Sequence, residues 1–125
     1  MPFCIYAEEL FLLVAKNRIH GYIVSSCITD IYYLVSKYTT KLEAKETIRS
    51  LLSLFSIINL NADDLKTALE SDNVDYEDAI VSICAEKTNI DYIITRDDDF
   101  LTYKHHKTIS PHDFIIMLNT NTLHT

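Results

Sequence analysis

The stretch Tyr76-Glu77-Asp78-Ala79-Ile80-Val81-Ser82-Ile83-Cys84-Ala85-Glu86-Lys87-Thr88, continued by Asn89-Ile90-Asp91-Tyr92-Ile93-Ile94-Thr95, decides the fold class. Its first part sets Ala79, Ile80, Ile83 and Cys84 on one face at helical spacing, so Tyr76 to Thr88 is predicted as a helix. Its second part is a short β-branched run, predicted as a strand over Asp91-Tyr92-Ile93-Ile94-Thr95. A strand this apolar on both sides suits a parallel sheet covered on both faces, not a half-wetted antiparallel one.

Working outward, the same alternation recurs. Towards the N-terminus, residues 3–17 carry Phe3, Tyr6, Ala7, Leu10, Leu13 and Val14 at helical spacing, and Asn17 to Gly21 reads as a helix exit and turn. Tyr22-Ile23-Val24 is a short strand. Ser25 and Ser26 then offer an N-cap to a helix ending near Tyr38, with Ile28, Ile31, Tyr32, Leu34 and Val35 on its apolar face. Residues 41–55 form a third helix with Leu42, Ile48, Leu51, Leu52 and Phe55 inward, and Ile57-Ile58-Asn59-Leu60 a second strand. Asn61 caps a helix from Ala62 to about Glu70, with Asp63 and Asp64 in the first turn, where the dipole favours acids. Beyond Thr95, Arg96 to Asp99 make a turn and Lys107-Thr108-Ile109 a short fourth strand. Ser110-Pro111 opens a last helix to about Leu118. The expectation is one α/β domain over residues 1–118 with a frayed tail over 119–125.

Composition narrows the function. A chain of 125 residues fits one domain. With one Gly and two Pro, it lacks the repeated glycines that a Rossmann cofactor turn or a phosphate loop requires. The net charge of −7 argues against a protein that binds nucleic acid through bulk charge. It does not argue against a metal-dependent nuclease, whose cation neutralises acids and substrate phosphate together. Cys4, Cys27 and Cys84 are odd in number, widely spaced and set in apolar stretches, which reads as buried free thiols. No signal peptide or apolar run of about 20 residues occurs, so a cytosolic, reduced protein away from membranes is expected.

The acids fall where ligands bind in open parallel sheets, beyond the carboxyl ends of the strands. Asp30 lies about one turn inside the helix that follows strand 22–24, Thr95 and Asp97 close strand 91–95, and Glu77 and Asp78 start the helix from Tyr76. Oxygen-only donors from separate elements suit a hard cation such as Mg2+ or Mn2+. Plainer readings stand beside this one: Asp78 as an acid placed for the helix dipole, and Asp97-Asp98-Asp99 as a solvated charge run. His105-His106 has no cysteine partner and reads as a solvated turn in preference to a zinc site.

Three stretches together resemble the PIN-domain family, which includes the VapC-like toxin ribonucleases of toxin–antitoxin pairs. Ser26-Cys27-Ile28-Thr29-Asp30-Ile31-Tyr32-Tyr33-Leu34 is similar to the second acidic motif of a bacterial subgroup, and Tyr76-Glu77-Asp78-Ala79 to the third. Asp91 to Phe100, with Thr95-Arg96-Asp97 at its centre, is similar to the closing motif, and Ile109-Ser110-Pro111-His112-Asp113-Phe114 to the tail. The likeness runs from about Phe3 to Leu118. It implies a three-layer α/β/α domain with a short parallel sheet and a Mg2+/Mn2+-dependent endoribonuclease. Asp30, Asp78 and Asp97 would be the metal-site acids, and Thr95 the hydroxyl that orients the closing acid or a water. Glu77 and Asp99 would support these ligands, and Arg96 would touch RNA phosphate. A homodimer and an antitoxin partner are implied as well.

The family pattern also has an earlier strand, apolar-apolar-Asp-Thr/Ser-Asn, whose Asp is the first metal ligand. No Asp precedes Asp30 here, so an N-terminally truncated domain lacking that strand is expected. Translation starting upstream of Met1, a decayed gene, or a partner filling the gap would each account for this. The alternative to the enzyme is thus an inactive PIN remnant serving as an oligomerising or RNA-binding module. A receiver-like phosphoacceptor domain is disfavoured, because no acid pair closes a first strand and no Lys closes a late one.

Overall fold

The computed structural model describes residues 2–71, 75–95, 101 and 108–123, with side chains described from Glu9 to Thr120 within them. The described elements are α1 (Pro2–Ala15), β1 (Tyr22–Val24), α2 (Ser25–Tyr38), α3 (Lys41–Leu54), β2 (Ser56–Ile58), α4 (Ala62–Leu69), α5 (Tyr76–Thr88), β3 (Ile93–Ile94), β4 (Thr108–Ile109) and α6 (Pro111–Leu123). This is a small α/β fold, mostly helical, with short parallel strands. The strands form two pairs: β1 with β2, and β3 with β4, both parallel. The chain divides into two compact units, one of Leu13–Ala62 and one of Met1–Leu12 with Asp63–Thr125.

In the unit of residues 13–62, Tyr22, Ile23 and Val24 register with Ser56, Ile57 and Ile58. The ladder extends one step beyond the strands, where the Ser56 N–H donates to the Gly21 carbonyl at 2.9 Å. Gly21, the one glycine in the chain, does not have a positive φ. It is required for space: a Cβ there would meet two ring carbons of Phe55 at 2.5 Å and Val14 Cγ2 at 2.9 Å. The left-handed step in this turn belongs to Asn17, at φ 58°, a conformation asparagine tolerates better than most residues.

Ser25 differs from its expected role. Val24 occupies the N-cap of α2 without a side-chain cap, and Ser25 is the first helical residue. The Ser25 hydroxyl instead accepts the Leu60 N–H at 3.3 Å, tying the exit of β2 to the start of α2. A side-chain cap does form on α3, where Thr40 Oγ1 accepts the Glu43 N–H at 3.1 Å. Three leucines expected inward are exposed: Leu34 at 58%, Leu42 at 69% and Leu52 at 52%. The reason is geometric. Helices of 14 residues run about 21 Å, whereas strands of three residues run about 10 Å. The sheet covers only part of each apolar stripe, and Ala44 alone is buried on α3.

The other unit is built on α5, which buries Ala79, Ile80, Ser82, Cys84 and Ala85. Asn89 ends the helix in the left-handed conformation at φ 60°, its N–H directed at the Ala85 and Glu86 carbonyls. The chain then reverses, and Ile93 packs on Ala85, with Val81 and Ile90 beside them. Ile93 and Ile94 register with Thr108 and Ile109, and Tyr92 meets Phe114 of α6 edge-on, ring centres 5.8 Å apart. The strand expected over residues 91–95 is thus confined to its two isoleucines. Ser110 opens α6, its hydroxyl accepting the Asp113 N–H at 3.1 Å. The helix continues to Leu123, past the end expected near Leu118.

Asp64 does more than favour a helix dipole. It is buried, and Lys87 Nζ of α5 reaches its carboxylate at 2.5 Å. Cys27 is half-buried and Cys84 fully buried, both free thiols, while the Cys4 side chain lies outside those described. Among the described residues no helix is long and apolar enough to cross a membrane.

Candidate metal-site acids

Of the acids singled out in the sequence, Asp30 lies on α2, and Glu77 and Asp78 lie on α5. β1 passes without a linker into α2, so the start of α2 stands at the carboxyl end of that strand. Asp30 lies about one and a half turns further on. It is exposed, and makes no hydrogen bond or ion pair among the described residues. Nearby, the Thr29 hydroxyl donates to the Ser26 carbonyl at 3.3 Å and is occupied within the helix.

Asp78 lies in the first turn of α5 with Glu77. Glu77 is exposed, whereas Asp78 is half-buried, next in sequence to the buried Ala79 and Ile80. Asp75 takes the N-cap position without a side-chain cap bond, so the helix end is not closed by its own capping carboxylate. Positive charge at a helix N-terminus favours acids here. Tyr76 anchors this turn, its hydroxyl donating to the Leu65 carbonyl of α4 at 3.0 Å.

Thr95 follows β3 and is half-buried, its N–H donating to the Ile109 carbonyl at 3.0 Å. β3 packs on α5 through Ile93 against Ala85. Asp78 and Thr95 belong to this unit, and Asp30 to the other. Arg96, Asp97 and Asp99 lie outside the described residues, as do His105 and His106.

The candidate donors among the described residues, Asp30, Glu77, Asp78 and Thr95, are all oxygen donors. That set fits a hard, oxygen-preferring cation and not zinc or copper. Among the described residues no group of three His, Cys, Asp or Glu gathers closely enough to hold an ion.

A family model described as PIN domain matches residues 1–99 of the chain. No curated protein and no solved structure matches it.

Proposed function

The chain belongs to the PIN-domain family, and from that premise we propose that it is a Mg2+- or Mn2+-dependent endoribonuclease. The observation that carries the reading is Asp78, half-buried in the first turn of α5 within the segment the family model matches. In this reading Asp30, Asp78 and Asp97 hold the cation, and Thr95 orients Asp97 or the attacking water. Glu77 and Asp99 support the ligands by hydrogen bonding, and Arg96 binds a phosphate of the strand. The bound cation supplies neutralisation of the scissile phosphate and a water acidified for attack. The protein's share is to fix carboxylate oxygens of like charge near one another, an arrangement that is costly unless a cation joins them. Toxin activity, a neutralising antitoxin and self-association belong to the same proposal, because PIN domains of this size resemble the toxins of such pairs.

The test is cleavage of a labelled RNA by the purified full chain with Mn2+ or Mg2+. Asp78→Asn is expected to lower the rate by about 100-fold or more, at least the upper range seen when a ligand's outer-shell partner is lost, and EDTA to abolish it. Asp30→Asn is expected to match it. Absence of metal-dependent cleavage in the parent chain would overturn the proposal in favour of an oligomerising or RNA-binding module.

A further inference from the structure

At the amino end of the β1–β2 pair, the turn after α1 borders an open cleft of about 370 Å³. Val14, Ile19 and Leu54 give it an apolar wall, and Asn17, Arg18 and His20 a polar rim. Gly21 completes the lining, pressed against Phe55. The cleft opens where the chain enters these strands; Asp30 follows their carboxyl end. None of the acids assigned to the cation is among the residues that line it.

Two features give the cleft a ligand chemistry. The first is a fixed ring. His20 stacks on Tyr22, centres 4.4 Å apart and planes 19° from parallel, while its Nε2 lies 2.8 Å from Ser56 Oγ. One face of the imidazole is thereby covered and its tilt held, which leaves an exposed face prepared for another flat ring. Holding the ring before binding reduces the ordering cost that a ligand would otherwise meet.

The second is charge segregation. In a chain of net charge −7, no Asp or Glu occurs from Leu10 to Thr29, nor from Thr47 to Ala62. Those segments supply every residue lining the cleft. Lys16 and Arg18 are exposed in the first of them, and Arg18 makes no ion pair among the described residues. A guanidinium with free donors beside a held aromatic ring suits a phosphate linked to a base.

We propose that the cleft formed by Asn17, Arg18 and His20 binds a single-stranded polynucleotide, with a phosphate on Arg18 and a base on the open face of His20. The identity of the strand as RNA rests on the ribonuclease reading above; the cleft's own chemistry does not. Such a contact would add affinity for the strand beyond what an acidic reaction centre supplies.

Fluorescence anisotropy with a labelled oligouridylate of about eight nucleotides, within the usual span of a stacking groove, tests this with the full chain in EDTA. Cleavage is then silent and only binding is read. Arg18→Glu is expected to weaken binding about tenfold or more at low salt. Arg18→Gln should lower the salt slope by about one. His20→Ala is expected to cost about fivefold or more through lost stacking, and Arg18→Lys to retain most of the affinity. Circular dichroism and urea midpoints of Arg18→Glu and Arg18→Gln should match the parent, since Arg18 carries no structural ion pair. Unchanged affinity in both Arg18 variants, no binding by the parent, or equal competition by uridine monophosphate would each overturn the proposal. Arg18-dependent binding without Mn2+-dependent cleavage would sink the nuclease reading and leave the cleft. Cleavage with binding indifferent to Arg18 would do the reverse.

Discussion

The two units fold by different means. In Leu13–Ala62 a pair of three-residue strands supports two helices longer than itself, and α2 has no buried residue. What organises this unit is a point of tight steric fit, Gly21 against Phe55 and Val14. In the other unit, α5 buries five side chains along its length, and an ion pair at its far end joins it to α4. One unit relies on a missing atom, the other on burial and a charge pair. The contrast bears on function, because α5 carries Asp78 on a well-anchored helix and α2 carries Asp30 on a thinly covered one.

The contrast is most exposed at Lys87. Its side chain is 35% accessible while the Asp64 side chain is 10% accessible, so removing the lysine takes a countercharge from the more deeply buried group. Lys87→Met is expected to cost about 3 kcal/mol, near the lower limit for breaking a buried pair, measured by urea denaturation. Asp64→Asn should cost less, since the lysine left behind can turn to water. Equal losses would show that solvent already screens both groups.

Gly21→Ala comes next. A methyl group 2.5 Å from the Phe55 ring must displace that ring, at about 2 kcal/mol for an overpacked site. Phe55→Leu should recover part of the loss when combined with it, beyond the sum of the single effects. Strict additivity in that double-mutant cycle would mean that the two positions do not compete for space.

Ser25→Ala is expected to cost about 1 kcal/mol, the usual net value of one hydrogen bond left unmade at a partly buried N–H. An N-cap role for Ser25 would instead predict that Ser25→Asp preserves stability; with Leu60 as its donor, the bulkier carboxylate should not. In α5, Ser82 is buried, and its hydroxyl has no hydrogen-bond partner among the described residues. Ser82→Ala should therefore be neutral or stabilising by about 0.5 kcal/mol.

The smallest effect falls on the exposed face of the first unit. Leu34→Gln and Leu42→Gln should each change stability by no more than about 0.5 kcal/mol, read from the same urea midpoints. A loss above about 2 kcal/mol from either would mean that this face is covered in solution, which is also where self-association would register as a concentration-dependent midpoint.

Periodicity carried most of the fold. The strand over Tyr22–Val24 and the helix over Tyr76–Thr88 have the limits expected from their apolar residues alone, because each is closed by unambiguous punctuation. Leu34, Leu42 and Leu52 went wrong for a reason that one-dimensional spacing cannot detect. Spacing says which face of a helix is apolar, but not how much sheet is available to cover it. Asp64 illustrates a second limit, since its partner Lys87 stands on a later helix and only the packing of α4 with α5 joins them. Gly21 reads as a turn glycine in sequence; its real constraint is a ring many residues away. For the acids, the sequence identifies donor type and order along the chain, which is chemistry. It does not supply distances, and Asp97 lies outside the described residues. The basic run at Lys16, Arg18 and His20 is written in the sequence as an interval without acids.

Gly21 and Phe55 have one further consequence, which concerns inheritance. Every other amino acid carries the atom that the Phe55 ring excludes from position 21. A lineage can therefore change position 21 only after, or together with, position 55. The two sites should behave as one heritable character: in a library of variants, substitutions at 21 survive chiefly where the ring at 55 has already been exchanged for something smaller.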